Sequence, residues 1–431
     1  MGENRRMAPN TVTLAFALAL VASLLIRAWL VTRQIRHVHL HRDTVPEPFA
    51  QTIALDAHRK AANYTIARNR FELISIAFDT ALLLGWTLLG GLDALNTLLR
   101  DALQPSLGDL GYQLALLGAV TGISALLDLP LEAWRTFRIE QQFGFNRSTW
   151  RLWARDHLIS AALTLAIGTP LAAAVLWLMG AAGPWWWLWA FGVMAGFMLL
   201  AQVLVPTFIA PMFNKFEPLA DEALRQRVEA LMQRCGFRAQ GFFVMDGSRR
   251  SGHANAYFTG FGTSKRVVFF DTLLAKLNTS EVEAVLAHEL GHFRHRHVFK
   301  RIVSTFAIML GVFALLGWLA NQPAFYLGLG VAPNLSAPND ALALILILMA
   351  GPVFMFFATP VFAALSRRQE FEADAFACQQ ADGQRLADAL LKLYQDNAST
   401  LTPDPLYVRF HYSHPPAAER LAAMRQRPAP A

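Results

Sequence analysis

Long unbroken apolar runs dominate the chain, in place of the short amphipathic periods of a soluble protein. Seven of them are long enough to cross a bilayer as helices, which takes roughly 20 residues. They lie near Thr11–Val31, Phe71–Leu92, Tyr112–Trp134, Leu158–Gly180, Trp185–Pro211, Ile302–Asn321 and Ala341–Ser366. The fourth, fifth and last two carry no charge, whereas the second and third hold Glu72, Asp79, Asp128 and Glu132. Charges at membrane depth usually face a protein interior or a water-filled cavity. Asp79 and Asp128 are expected to line one, while Glu72 and Glu132 fit there or at the headgroups. The first run follows Arg5-Arg6 but lacks a cleavage site, so it reads as an anchor.

Between the fifth and sixth runs the pattern changes. "GFFVMDG" and "KRVVFFD" read as strands, with "NAYFTGFG" a third between them. Ser280-x-x-Glu283 reads as a capping box that opens a helix through "AVLAHELGHF". The expected fold class is a mainly α membrane protein with seven transmembrane helices and a small cytoplasmic α/β domain. Its divisions are residues 1–211, 212–301, 302–366 and 367–431.

Composition agrees, with 54% hydrophobic and 16% charged residues against roughly 25% charged in soluble domains. The net charge of +7 comes without a basic–aromatic cluster, so no nucleic-acid partner is expected. A lipid bilayer accounts for the excess better. Lys plus Arg number seven, one, five, none, fourteen and none in successive connections, and the tail opens with Arg367-Arg368. By the positive-inside rule, 212–301 and the tail then share the cytoplasmic side. Cys235 and Cys378 form no C-x-x-C pair and suggest neither a disulfide framework nor a thiolate metal site. With only six lysines among 38 basic residues, arginine usage hints at a GC-rich bacterial genome.

The chemistry centres on His288-Glu289-x-x-His292. On a helix the two histidines share one face and can grip one Zn²⁺, with Glu289 placed to take a proton from an attacking water. Gly291 inside the motif costs about 1 kcal/mol of helix propensity, which suggests close approach of something, substrate being one candidate. His295 and His297 read as solvated or interfacial. A hydrolytic zinc needs a third protein ligand, and "SRRQEFEADAFA" after the last run offers Glu370, with Glu372 as competitor. Asp374, one turn beyond Glu370, would hold a ligand histidine's other N–H or handle protons.

Taken with "FRIEQQFGFNRST", "PTFIAPMFNKFEPLAD", "DGSRRSGHANAYFTGF", "VVFFDTLL" and "HYSHPPAAERL", these motifs make the chain resemble the type I CAAX prenyl proteases, integral-membrane zinc metalloproteases. The resemblance covers nearly the whole chain. It implies seven helices enclosing a water-filled chamber, with His288, His292 and Glu370 as ligands of one zinc and Glu289 as general base. It also implies that Asp374 supports the site or donates a proton, that Asn255 binds the substrate backbone, and that His414 stabilises the oxyanion. The implied substrate is a membrane-associated peptide, in the family a prenylated one, and the expected location is a bacterial inner membrane. Two other functions fit less well: a quality-control membrane protease, and a transport chamber holding structural zinc.

Overall fold

The apolar runs fold as helices, each satisfying its backbone polar groups internally as a span in lipid must. In the computed structural model, residues 8–259 and 264–425 are described. The end of "NAYFTGFG", the Arg5-Arg6 pair and the last six residues lie outside them. The main helices are α1 (Pro9–His41), α2 (Leu55–Trp86), α3 (Gly91–Glu140), α4 (Trp150–Ala181), α5 (Gly183–Phe213), α6 (Glu222–Arg234), α7 (Thr279–Arg294), α8 (His297–Leu319), α9 (Asp340–Gln380), α10 (Gly383–Asp396), α11 (Pro405–His411) and α12 (Ala417–Arg425).

Among the described residues, six helices are long and apolar enough to span a membrane: α1, α3, α4, α5, α8 and α9. The expected second span is helical, as α2, but Arg70, Glu72 and Asp79 leave it too polar to qualify by composition. It nevertheless stands in the wall. Contacts run from α1 to α2, α3, α4, α5, α8, α9 and back to α1, closing a ring of seven. Only 6–11% of the most apolar stretch of α3, α4, α5 and α8 is buried. These helices therefore meet edge to edge, with one face toward lipid and the other toward an open interior.

One end of the ring is plugged. Phe16, Trp86, Tyr112, Leu176, Phe325 and Leu342 form an apolar core there. A buried Asn334 ties it together, donating to the Tyr112 hydroxyl and accepting from Asn96, each at 2.9 Å.

The other end carries a four-stranded sheet of β1 (Phe216–Pro218), β2 (Arg238–Met245), β3 (Ala256–Thr259) and β4 (Ser264–Phe270), in the order β1-β2-β4-β3. The three expected strands are present. β1 is an addition that three residues could not announce, pairing antiparallel with β2. β2 and β4 run parallel, and β3 pairs with β4 at the edge. α6, α7, α10 and α12 share the core behind the sheet.

The start of α7 differs from expectation. Its capping box is Asn278 with Glu281, two residues earlier than Ser280 with Glu283. Asn278 is the better acceptor for the N3 amide, and Ser280 instead donates to it at 2.7 Å. Glu283 is thereby released to pair with Arg227 and Arg234 of α6.

Candidate metal centre

α7 and the end of α9 pack face to face. A Cβ built on Gly291 would lie 2.9 Å from Ala373 Cα and 3.1 Å from its carbonyl oxygen. What approaches this glycine is thus the backbone of α9 rather than a substrate. That approach carries Glu370 to the two histidines.

His288 Nε2 and His292 Nε2 are 3.3 Å apart; Glu370 Oε2 is 3.4 Å from the first and Glu370 Oε1 3.3 Å from the second. Three donors so spaced suit a tetrahedral divalent ion, since bonds of about 2.0–2.1 Å place ligand atoms about 3.3–3.4 Å apart. Glu370 Oε2 is buried with no hydrogen-bond partner among the described residues. An orphaned buried carboxylate oxygen is costly, and a cation removes the cost. The residues present therefore fit a metal ion.

Both histidines are oriented from behind. Asp374 Oδ1 lies 2.8 Å from His288 Nδ1, which fixes a proton on Nδ1, so that Nε2 is the nitrogen that can offer its lone pair to an ion. Arg420 clamps Asp374 with two hydrogen bonds of 2.8 and 2.6 Å. On the other side His292 Nδ1 meets His297 Nδ1 at 3.0 Å, and His297 Nε2 donates to Glu372 at 3.0 Å. His297 is buried and packs behind His292, where a solvated or interfacial residue was expected; His295 is exposed. The turn responsible centres on Arg296, whose φ of 56° is left-handed and reverses the chain so that His297 faces back. Glu372, the competing ligand, accepts from His297 and from Arg368 at 3.2 Å and leaves the metal corner to Glu370.

Glu289 is half-buried and has no hydrogen-bond or ion-pair partner among the described residues. His414 Nε2 stands 3.5 Å from Glu370 Oε1, with Ser413 Oγ 2.9 Å from its Nδ1. It faces a cavity of about 590 Å³. Desolvation beside the cavity lowers its pKa against the opposing pull of Glu370. His411 opens into the same cavity. Asn255 precedes the edge strand β3. Its carbonyl accepts from Phe270 N–H at 3.0 Å, and its side-chain oxygen accepts from Ala256 N–H at 2.8 Å. Glu72 lines the cavity, as does Arg68, so Glu72 belongs to the interior rather than the headgroups. Asp79 lies within electrostatic reach of Arg27, Glu72 and Asp128.

The sequence pointed to neither Arg420 nor His297 as support. Arg420 lies in "HYSHPPAAERL", where a lone cation in an alanine-rich helix was the available signal. His297 stands five residues past His292 and would leave its face if the helix simply continued.

Residues 34–215 match the family model described as CAAX prenyl protease N-terminal, five membrane helices, and residues 218–428 match Peptidase family M48. CAAX prenyl protease 1 of Saccharomyces cerevisiae is 34% identical over 424 residues, spanning 94% of this chain and 93% of that protein. The chain belongs to peptidase family M48. The CAAX prenyl protease 1 homolog of Arabidopsis thaliana is 33% identical over 396 residues, 88% of this chain and 90% of that one. The crystal structure of S. mikatae Ste24p superposes with a TM-score of 0.89 at 31% identity, covering 98% of this chain and 100% of the other. As a member of M48 the chain is a metallopeptidase acting on peptides, and its apolar helices make it an integral, multi-pass protein of a lipid bilayer.

Proposed function

We propose that this M48 metallopeptidase is a zinc endopeptidase that cleaves membrane-associated, lipidated peptides of the CAAX type at the cytoplasmic face of a bacterial inner membrane. The observation that carries zinc is the triangle of His288, His292 and Glu370, with edges of 3.3–3.4 Å and a nitrogen–oxygen donor set that suits Zn²⁺. Bound there, zinc supplies a Lewis acid and a nucleophilic water at neutral pH.

The chain's own residues do the rest. Glu289, free of partners, accepts the proton of the attacking water and passes it toward the leaving amine. His414, an N–H donor, stabilises charge on the scissile carbonyl oxygen, which appears only in the transition state. Asp374 and Arg420 hold His288 in its tautomer. Asn255, at the head of the edge strand, takes the substrate backbone as an added strand. Residues 212–301 and 367–431 act as one catalytic unit on 1–211 and 302–366, and the Lys/Arg-rich connections support a cytoplasmic location for that unit. A transport chamber with structural zinc is disfavoured by Glu289, which such a site would not need.

The test uses detergent-solubilised protein and two fluorogenic peptides of equal sequence, one farnesylated at cysteine. Wild type at about one zinc per chain should cleave, the lipidated peptide preferentially, while Glu289→Gln keeps its zinc and loses turnover. Equal turnover in Glu289→Gln would remove Glu289 from the mechanism, and indifference to the lipid would remove the substrate assignment.

A further inference from the structure

The cavity that His414 and Arg420 open into extends to the face of α2 that carries Arg68 and Glu72. Two of its charges are already matched. Glu72 faces Arg27 at 3.9 Å, and Arg420 is clamped on Asp374. Arg68 lies over the Tyr64 ring, 5.4 Å from its centroid, and no carboxylate comes within ion-pair distance of it among the described residues. Glu140, an acid within its electrostatic reach, instead accepts the Tyr64 hydroxyl on both oxygens at 2.8 Å. Arg68 is exposed at this half-open cavity, where its guanidinium can offer a two-pronged hydrogen bond to a planar carboxylate.

The ligand is bounded by size. About 590 Å³ lies in the range of pockets that enclose a small ligand, enough for a few residues of peptide beside the metal centre. The end of a substrate chain fits such a space, and it carries a carboxylate.

We propose that Arg68 anchors a carboxylate of the substrate peptide, so that the enzyme reads a negative charge a few residues from the scissile bond. This rests on the peptidase function above. The free C-terminus is the source the cavity favours, and an acidic side chain is the other.

Peptide binding separates the sources and stands apart from turnover. Fluorescence anisotropy would follow peptides of one sequence with a free or amidated C-terminus, each with Glu or Gln at one internal position. The protein would be zinc-loaded Glu289→Gln, alone and combined with Arg68→Met or Arg68→Lys. A charged hydrogen bond is worth about tenfold or more in affinity. The free acid should bind tighter than the amide by about that factor. Arg68→Met should abolish the difference, and Arg68→Lys should keep part of it. If the internal Glu carries the preference instead, Arg68 still reads a carboxylate, from a side chain. An acid-to-amide ratio and a Glu-to-Gln ratio both unchanged by Arg68→Met would overturn the proposal. Bound zinc and the unfolding temperature of each variant exclude misfolding. Failure of wild type to cleave any of the peptides would count against the peptidase function, while the binding ratios would still decide Arg68.

Discussion

Gly291 of α7 lies against the backbone of Ala373 of α9, so close that a Cβ on the glycine would sit 2.9 Å from the Ala373 Cα. The contact sets the spacing between the helix with His288 and His292 and the helix with Glu370. Gly291→Ala would force the two apart. Overpacking of this kind costs about 1–3 kcal/mol, and improved helix propensity returns about 1 kcal/mol. The larger effect should fall on the metal. Zinc content after dialysis should drop well below wild type while the unfolding temperature moves by only a few degrees. Full zinc retention would show that the helices can part without opening the ligand triangle.

Arg420 and Asp374 are both buried, the arginine 6% and the aspartate 1% exposed. Breaking a buried ion pair from one side leaves an uncompensated charge and costs about 3–5 kcal/mol. Arg420→Met should therefore destabilise the protein strongly and weaken its metal site. Adding Asp374→Asn should recover much of the stability but not the metal affinity, since His288 then has only a weaker acceptor. The comparison needs thermal unfolding and a chelator competition on the single and double variants. Equal stability of the two would mean the pair acts independently of burial.

His297 should matter to the metal through His292. Partners that hold a ligand imidazole are typically worth about 10–100-fold in metal affinity. His297→Ala should lose affinity in that range, and Glu372→Gln somewhat less, because Gln can still accept the hydrogen bond. Titration against a fluorescent zinc chelator reads this without any substrate. A His297→Ala affinity within about twofold of wild type would reduce His297 to packing.

Metal binding should depend on pH with a definite sign. In the metal-free protein, burial disfavours a charged His288, but the hydrogen bond to Asp374 and the neighbouring Glu370 carboxylate outweigh it and raise the pKa to about 9. Below that value the free site holds a proton that an ion must displace. Zinc affinity should accordingly fall as pH drops from about 9, approaching about tenfold per unit for one displaced proton. The stability this proton lends the metal-free fold has the same origin. It is complete below the ordinary value of 6.5 and lost as pH rises through about 9. Isothermal titration at several pH values checks the slope, and a flat profile would show that His288 is already neutral.

The elements legible in the sequence were those whose signal is local. Apolar runs longer than a bilayer marked the spans, and helical spacing put His288 and His292 on one face. Glu370 and Asp374 were legible one turn apart for the same reason. The choice between Glu370 and Glu372 was not, because it depends on how α9 is rotated against α7, and Gly291 and Ala373 settle that rotation at their contact. Cap position was also decided by competition, with Asn278 outranking Ser280 as the acceptor. α2 falls short of a plain apolar criterion because it carries Arg70, Glu72 and Asp79, and its contacts with α1 and α3 are what put it in the wall. Arg420, 46 residues from Asp374, and His297, turned back by the left-handed Arg296, reached the site through chain reversals that no periodicity encodes. Sequence by itself determined the membrane class, the helices and the metal-binding chemistry, since bilayer thickness and helical pitch act on neighbours along the chain. Tertiary structure decided which side chains support the metal and what the cavity presents to a substrate, because those depend on which surfaces meet across the fold.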